Sequence, residues 1–134
     1  MKKNHTFFIA DDDADDQELF INALKEADEE CICITAFNGQ EALDMLTAEN
    51  TDLPDFIFLD LNMPRINGKE CLKKIKETDR LKNIPVIIYS TSAEKKEVED
   101  TSRSGAAFFL QKPNRFDELC AALRQIIMRN WSTA

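Results

Sequence analysis

Residues 56–70 read FIFLDLNMPRINGKE, from Phe56 to Glu70, and this stretch decides the fold. Phe56-Ile57-Phe58-Leu59 is a continuous apolar run of aromatic and β-branched side chains, the composition of a strand covered on both faces. It stops at a carboxylate, Asp60. Pro64 and Gly68 then shape a loop, and Leu72 and Ile75 follow at helical spacing. A buried strand, an acidic tip, a loop and an amphipathic helix make one repeating unit of a parallel α/β sheet.

The same unit recurs along the chain. Phe7-Phe8-Ile9-Ala10, Cys31-Ile32-Cys33-Ile34, Val86-Ile87-Ile88-Tyr89 and Ala107-Phe108-Phe109-Leu110 are further apolar runs of strand length. Between them Phe20, Ala23, Leu24 and Ala27 form one helical stripe, and Ala42, Leu43 and Leu46 another. The segment Glu94 to Ser104 carries only Val98 as a large apolar side chain, so the fourth helix is expected to be the least firmly anchored. The fifth has Phe116, Leu119, Leu123, Ile126 and Ile127 at core spacing. Asp13 is placed to cap the first helix; Gly39 opens the second, Gly68 precedes the third, Gly105 closes the fourth and Asn114 opens the fifth. The order is βαβαβαβαβα, which builds a doubly wound α/β sandwich with right-handed crossovers.

Composition bounds the function. The 134 residues fit one domain with a single core, expected to run from about residue 5 to 130, and leave no room for a separate output domain. A formal charge of −8 disfavours nucleic acid as a partner. Cys31, Cys33, Cys71 and Cys120 lie in apolar or helical stretches without a CxxC pair, which points to reduced core thiols rather than zinc ligands. Phe7 to Ala10 is cut short by Asp11, and no stretch is long enough to span a bilayer, so a cytoplasmic location is expected.

In open parallel sheets ligands bind beyond the carboxyl ends of the strands. Here those ends are Asp11-Asp12-Asp13, Asp60, Ser90-Thr91 and Gln111-Lys112-Pro113. Converging carboxylates repel one another, whereas a hard divalent cation such as Mg²⁺ turns them into a coordination shell. A nucleophilic carboxylate, a metal, an ammonium and a hydroxyl are together what phosphoryl transfer requires.

The stretches FFIADDD, FIFLDLNMPRINGKE, IPVIIYSTSA and GAAFFLQKP resemble the four signature blocks of the receiver domains of two-component response regulators, and the resemblance covers nearly the whole chain. It implies a flavodoxin-like sheet in the order 2-1-3-4-5, the order shared by flavodoxin and the chemotaxis receiver. It also implies that Asp60 is the phosphoacceptor, that Asp11, Asp12 and Asp60 hold Mg²⁺ with the backbone carbonyl of Asn62, and that Lys112 pairs with the phosphoryl group. Ser90 is then the switch hydroxyl and Phe109 the aromatic residue that responds to it, with the Lys112–Pro113 bond expected to be cis.

The resemblance further implies a histidine kinase or phosphotransfer protein as donor and a downstream protein as target. A homodimer through the fourth helix, fifth strand and fifth helix is compatible with it. Ser90 stands where threonine is commoner, Phe109 where tyrosine is frequent, and Thr91 where a smaller residue is often found. Thr91 is therefore expected to narrow water's path and slow dephosphorylation.

Competing readings are weaker. Asp13, Asp15 and Asp16 have an ordinary role as helix N-terminal charges. An EF-hand fails because Asp16 occupies the glycine position and Asn22 that of the bidentate glutamate. A haloacid dehalogenase-type phosphohydrolase wants a second Asp where Asn62 stands, and a degenerate docking module would not keep the full set of Asp11, Asp12, Asp60, Ser90 and Lys112. The lone His5 precedes the first strand and is expected to be exposed, and Trp131 is open to either covering the last helix or meeting a partner.

Overall fold

A computed structural model describes residues 5–48 and 52–129; Trp131 lies outside the described residues. The elements are β1 (Thr6–Ala10), α1 (Ala14–Ala27), β2 (Ile32–Ala36), α2 (Gly39–Thr47), β3 (Phe56–Leu59), α3 (Gly68–Lys76), β4 (Val86–Ser90), α4 (Lys95–Arg103), β5 (Phe108–Gln111) and α5 (Phe116–Met128). All four strand pairings are parallel and the sheet order is β2-β1-β3-β4-β5, as the resemblance implied.

Alternation along the strands divides the core into two layers. Phe8, Ala10, Ile57, Leu59, Val86 and Ile88 pack with Leu43, Leu46, Leu72 and Ile75 of α2 and α3. Their neighbours Phe7, Ile9, Phe56, Phe58, Ile87 and Tyr89 pack with Phe20 and Leu24 of α1 and with Leu119, Leu123 and Ile126 of α5. Aromatic contacts knit the second layer: Phe20 meets Phe58 edge-on at 4.7 Å between centroids, and Phe7 stacks on Phe56 at 5.3 Å.

The first three helices start on side-chain caps. The Asp13 carboxylate accepts from the backbone N–H groups of Asp15 and Asp16, as expected. Asn38 and Asn67 cap α2 and α3 in the same way, so Gly39 and Gly68 are first helical residues rather than caps. A side chain at Gly68 would collide with the backbone carbonyl of Asp60, which explains why the start of α3 sits directly beneath the Asp60 loop. Gly105, with φ of 106°, ends α4 in a left-handed turn.

Several expectations are corrected. β2 and β5 are the sheet's edge strands, and their apolar runs are only partly covered, with Ile32 52% exposed. An edge strand lacks the second neighbour that the run alone suggested. Phe116 is exposed although its spacing matches the core face of α5, because it lies in the first turn, beyond the layer filled by Leu119 and Leu123. α5 starts after Arg115 without a side-chain cap, so Asn114 does not open it. The Lys112–Pro113 bond is trans, there being no cis peptide among the described residues; trans is favoured by about 0.5–1 kcal/mol for such bonds. His5 is half-buried and its Nδ1 lies 3.0 Å from Asp28 Oδ2. Cys71 and Cys120 are buried free thiols, while Cys31 and Cys33 are half-buried.

α4 contributes one buried residue, Thr101, whose hydroxyl donates to the carbonyls of Glu97 and Val98. What ties α4 to α3 is ionic: Lys69 Nζ lies 2.9 Å from Glu97 and 3.2 Å from Asp100. The expectation of thin apolar anchoring holds.

Candidate functional site

The carboxyl ends of β1 and β3 lie side by side, with Ala10 paired to Leu59, so the residues that follow, Asp11 and Asp60, emerge together. Asp60 N–H donates to the Ala10 carbonyl at 3.0 Å and Asp11 N–H to the Ala36 carbonyl at 3.1 Å, which extends the ladder to the acidic tips. Buried Gln17 on α1 braces this junction, its amide donating to the carbonyls of Asp11 and Ala36 at 2.8 and 2.7 Å.

Asp11, Asp12 and Asp60 each offer a carboxylate oxygen within 4.8 Å of the others. Asp11 and Asp60 are buried and Asp12 is exposed, so the group opens to solvent on one side. Asn62 follows Asp60 on the β3–α3 loop and its N–H reaches Asp60 Oδ1 at 3.3 Å. In that loop Arg65 holds a left-handed φ of 71°, a conformation uncommon outside glycine.

Lys112 arrives from the end of β5, where its N–H donates to the Ser90 carbonyl at 2.7 Å. Its ammonium lies 2.9 Å from Asp11 Oδ2, 2.8 Å from Asp16 Oδ2 and 3.5 Å from Asp60 Oδ2, and 5.2 Å from the centroid of the Tyr89 ring. Ser90 is fully buried, its hydroxyl accepting from Ser92 N–H at 3.3 Å. Phe109 is half-buried against the layer beneath α2 and α3, and Thr91 is exposed.

The electrostatics favour a cation. Burial pushes the Asp11 carboxyl up to about 6, against the lowering effects of Lys112 and the Asp13 N–H, and the nearby Asp60 charge adds to the rise. Burial alone would lower the Lys112 ammonium, but its bonds to Asp16 and Asp11 and the charge of Asp60 outweigh that, and it is held above its ordinary value. One ammonium therefore leaves Asp11 short of full compensation. A divalent cation bound by oxygen ligands matches this donor set.

The structure thus brings together Asp11, Asp12, Asp60 and Lys112 from three strand ends, with Asn62 on the same loop as Asp60 and Ser90 at the end of the adjoining β4. Sequence reasoning missed two contributors. Asp16, read as a helix-end charge, reaches Lys112, and Gln17 supports the β1 tip. The signal for Asp16 was the surplus of acids in a first turn that Asp13 already caps.

A doubly wound sheet with an acidic, lysine-containing rim suits phosphoryl chemistry. The chain belongs to the response regulator receiver domain family, which matches residues 7–124. It is 33% identical over 128 residues to the two-component response regulator ARR17 of Arabidopsis thaliana, covering 89% of this chain and 82% of that protein. It is 35% identical over 92 residues to sporulation initiation phosphotransferase F of Bacillus subtilis, covering 69% of this chain and 70% of that one. Among solved structures, the phosphorylated cyanobacterial phytochrome response regulator RcpA superposes with a TM-score of 0.86 at 30% identity, over 98% of this chain and 96% of that one. The Mn²⁺-bound form of response regulator Rcp1 gives 0.83 at 27% identity, over 97% and 96%. Among the described residues, no helix is long and apolar enough to cross a membrane.

Proposed function

We propose that this chain accepts a phosphoryl group on Asp60 from the phosphohistidine of a histidine kinase or phosphotransfer protein in the cytoplasm, and signals to a downstream protein by a change of shape. The observation that carries this reading is the meeting of the Asp11, Asp12 and Asp60 carboxylates with the Lys112 ammonium. Asp11, Asp12, Asp60 and the Asn62 carbonyl would hold Mg²⁺, which supplies charge neutralisation on the transferring phosphoryl oxygens. The Mn²⁺-bound form of Rcp1 and the phosphorylated form of RcpA support a divalent cation and a phosphorylated state for proteins of this fold.

In the transfer, an Asp60 carboxylate oxygen forms a bond to phosphorus as the phosphorus–nitrogen bond of phosphohistidine breaks, and the imidazole leaves as the neutral ring after taking up a proton. Lys112, 3.5 Å from Asp60, needs only a small shift to meet the new phosphoryl oxygens. Ser90 supplies a hydroxyl from the adjacent strand end, and its inward movement frees space for the half-buried Phe109. The face of α4, β5 and α5 is the output surface, because α4 rests on ion pairs and Thr101 rather than on a broad apolar stripe.

The test is incubation with a small phosphodonor, with and without Mg²⁺, comparing the wild-type chain with Asp60→Asn. Stoichiometric, metal-dependent incorporation that disappears in the variant is expected. Incorporation that survives Asp60→Asn defeats the assignment, and rapid turnover of varied phosphate esters would point instead to a hydrolase.

A further inference from the structure

Lys112 has three carboxylate partners, Asp11, Asp16 and, at 3.5 Å, Asp60, and only Asp16 stands outside the acidic group suited to a cation. Asp11 Oδ1 already accepts the Asp13 N–H at 3.0 Å, and Asp11 Oδ2 accepts from the ammonium. If Asp11 turns toward a metal, its hold on Lys112 must weaken. The Lys112 side chain is only 10% exposed, so water is a poor replacement partner.

Asp16 lies on the other side of the ammonium, at 2.8 Å, and is not part of the Asp11, Asp12 and Asp60 group. Its carboxylate has no share in capping α1, because the Asp13 side chain already accepts the N–H groups of the first turn. A residue there for helix-dipole reasons alone could point to solvent, as exposed Asp15 does. Instead the Asp16 side chain bridges to a residue 96 positions away in the sequence.

We propose that Asp16 is a positioning residue that retains the Lys112 ammonium when Asp11 exchanges it for a divalent cation, so that metal binding leaves no buried charge unpaired. This inference rests on the proposed metal-dependent function and deepens it. Without Asp16, the ammonium must stay on Asp11 and Asp60, where it competes with the incoming cation for the same oxygens. Asp16 thus acts on the metal through Lys112, much as partners of first ligands do in other metal sites.

The test is calorimetric titration with Mn²⁺ of the wild-type chain and of Asp16→Asn, Asp15→Asn and Asp16→Glu. Asp15→Asn removes the same charge from the same helical turn without touching Lys112, and so measures the long-range effect alone. Asp16→Asn is expected to weaken Mn²⁺ binding roughly tenfold, the low end for loss of a supporting partner. Asp15→Asn should weaken it by less than about twofold, and Asp16→Glu should restore most of the affinity. Equal losses in Asp16→Asn and Asp15→Asn would overturn the proposal while leaving the metal site standing.

A second measurement uses the wild-type chain only. With ¹⁵N-labelled lysine, the Lys112 ammonium should remain protected from solvent exchange as Mn²⁺'s diamagnetic counterpart Mg²⁺ is added. Loss of that protection at saturation would overturn the role of Asp16. A wild-type chain that binds neither ion would overturn this proposal and the proposed function together.

Discussion

The two halves of the sheet are built differently. Around β1 and β3 every strand residue except Thr6 is buried, and both faces are covered, by α1 and α5 on one side and α2 and α3 on the other. Around β5 the strand is at the sheet edge, Phe108 is 37% exposed, and α4 buries only Thr101. The acidic tips stand on the first half, where packing fixes the relative positions of Asp11 and Asp60. Lys112 and the fourth helix belong to the second, where few apolar contacts oppose movement. Under the proposed function, the acidic tips rest on the packed half of the sheet and the output surface on the loosely anchored half, with Lys112 reaching from one to the other.

The largest expected effect tests the rigid half. Phe58→Ala should destabilise the protein by about 3–5 kcal/mol in urea unfolding, because the ring is fully buried between Phe20 and Tyr89. Phe108→Ala on the looser half should cost about 1 kcal/mol or less. Equal losses would erase the contrast.

The acidic rim sets the next effect. Asp11 has a folded-state value of about 6 against an ordinary 3.8, so the metal-free folded state binds this proton more tightly than the unfolded chain does. Its contribution to stability is complete below about pH 4 and is lost as pH rises through about 6. Metal-free melting temperatures should therefore fall across that window relative to Asp11→Asn, which lacks the group. Added Mg²⁺ should stabilise the wild-type chain most above pH 6, because proton and metal compete for the same carboxylate. Parallel melting curves for the two proteins would show that burial does not perturb Asp11.

Two smaller effects concern the boundary between the halves. If Asp60 carries the phosphoryl group as proposed, Thr91, exposed beside Ser90, should screen it from water, so Thr91→Ala is expected to shorten the phosphate lifetime by up to about fivefold, equivalent to about 1 kcal/mol in barrier. An unchanged lifetime removes Thr91 from the account. Lys69→Ala cuts the ionic tie between α3 and α4, with little effect on global stability because the pairs are exposed and screened by solvent. Its sharper signature is faster amide exchange confined to α4; exchange that accelerates equally in α3 would mean the tie supports both helices.

The fold was legible because burial on both faces leaves a continuous apolar run, and each run ended where a helical stripe began. Legibility failed at β2 and β5, whose composition resembles that of central strands, since the sequence of a strand does not state how many neighbours it will have. Phe116 failed for a related reason: its spacing is that of the core, but the layer it would join begins one turn further along the helix.

At the candidate site, residue types at strand ends marked out Asp11-Asp12-Asp13, Asp60, Ser90-Thr91 and Lys112, because a parallel sheet must gather its strand ends along one rim, and the family resemblance picked Asp11, Asp12 and Ser90 from among them. Asp16 and Gln17 could not be assigned that way. On a helix, adjacent side chains point about 100° apart, so which of them turns toward the rim depends on how α1 packs against β1. The linear chain determined the alternation of elements and the chemistry at their tips, since both follow from local composition. Tertiary packing alone decided which acid holds the ammonium, which strands stay uncovered and which helix rests on ion pairs, since each depends on neighbours distant in sequence.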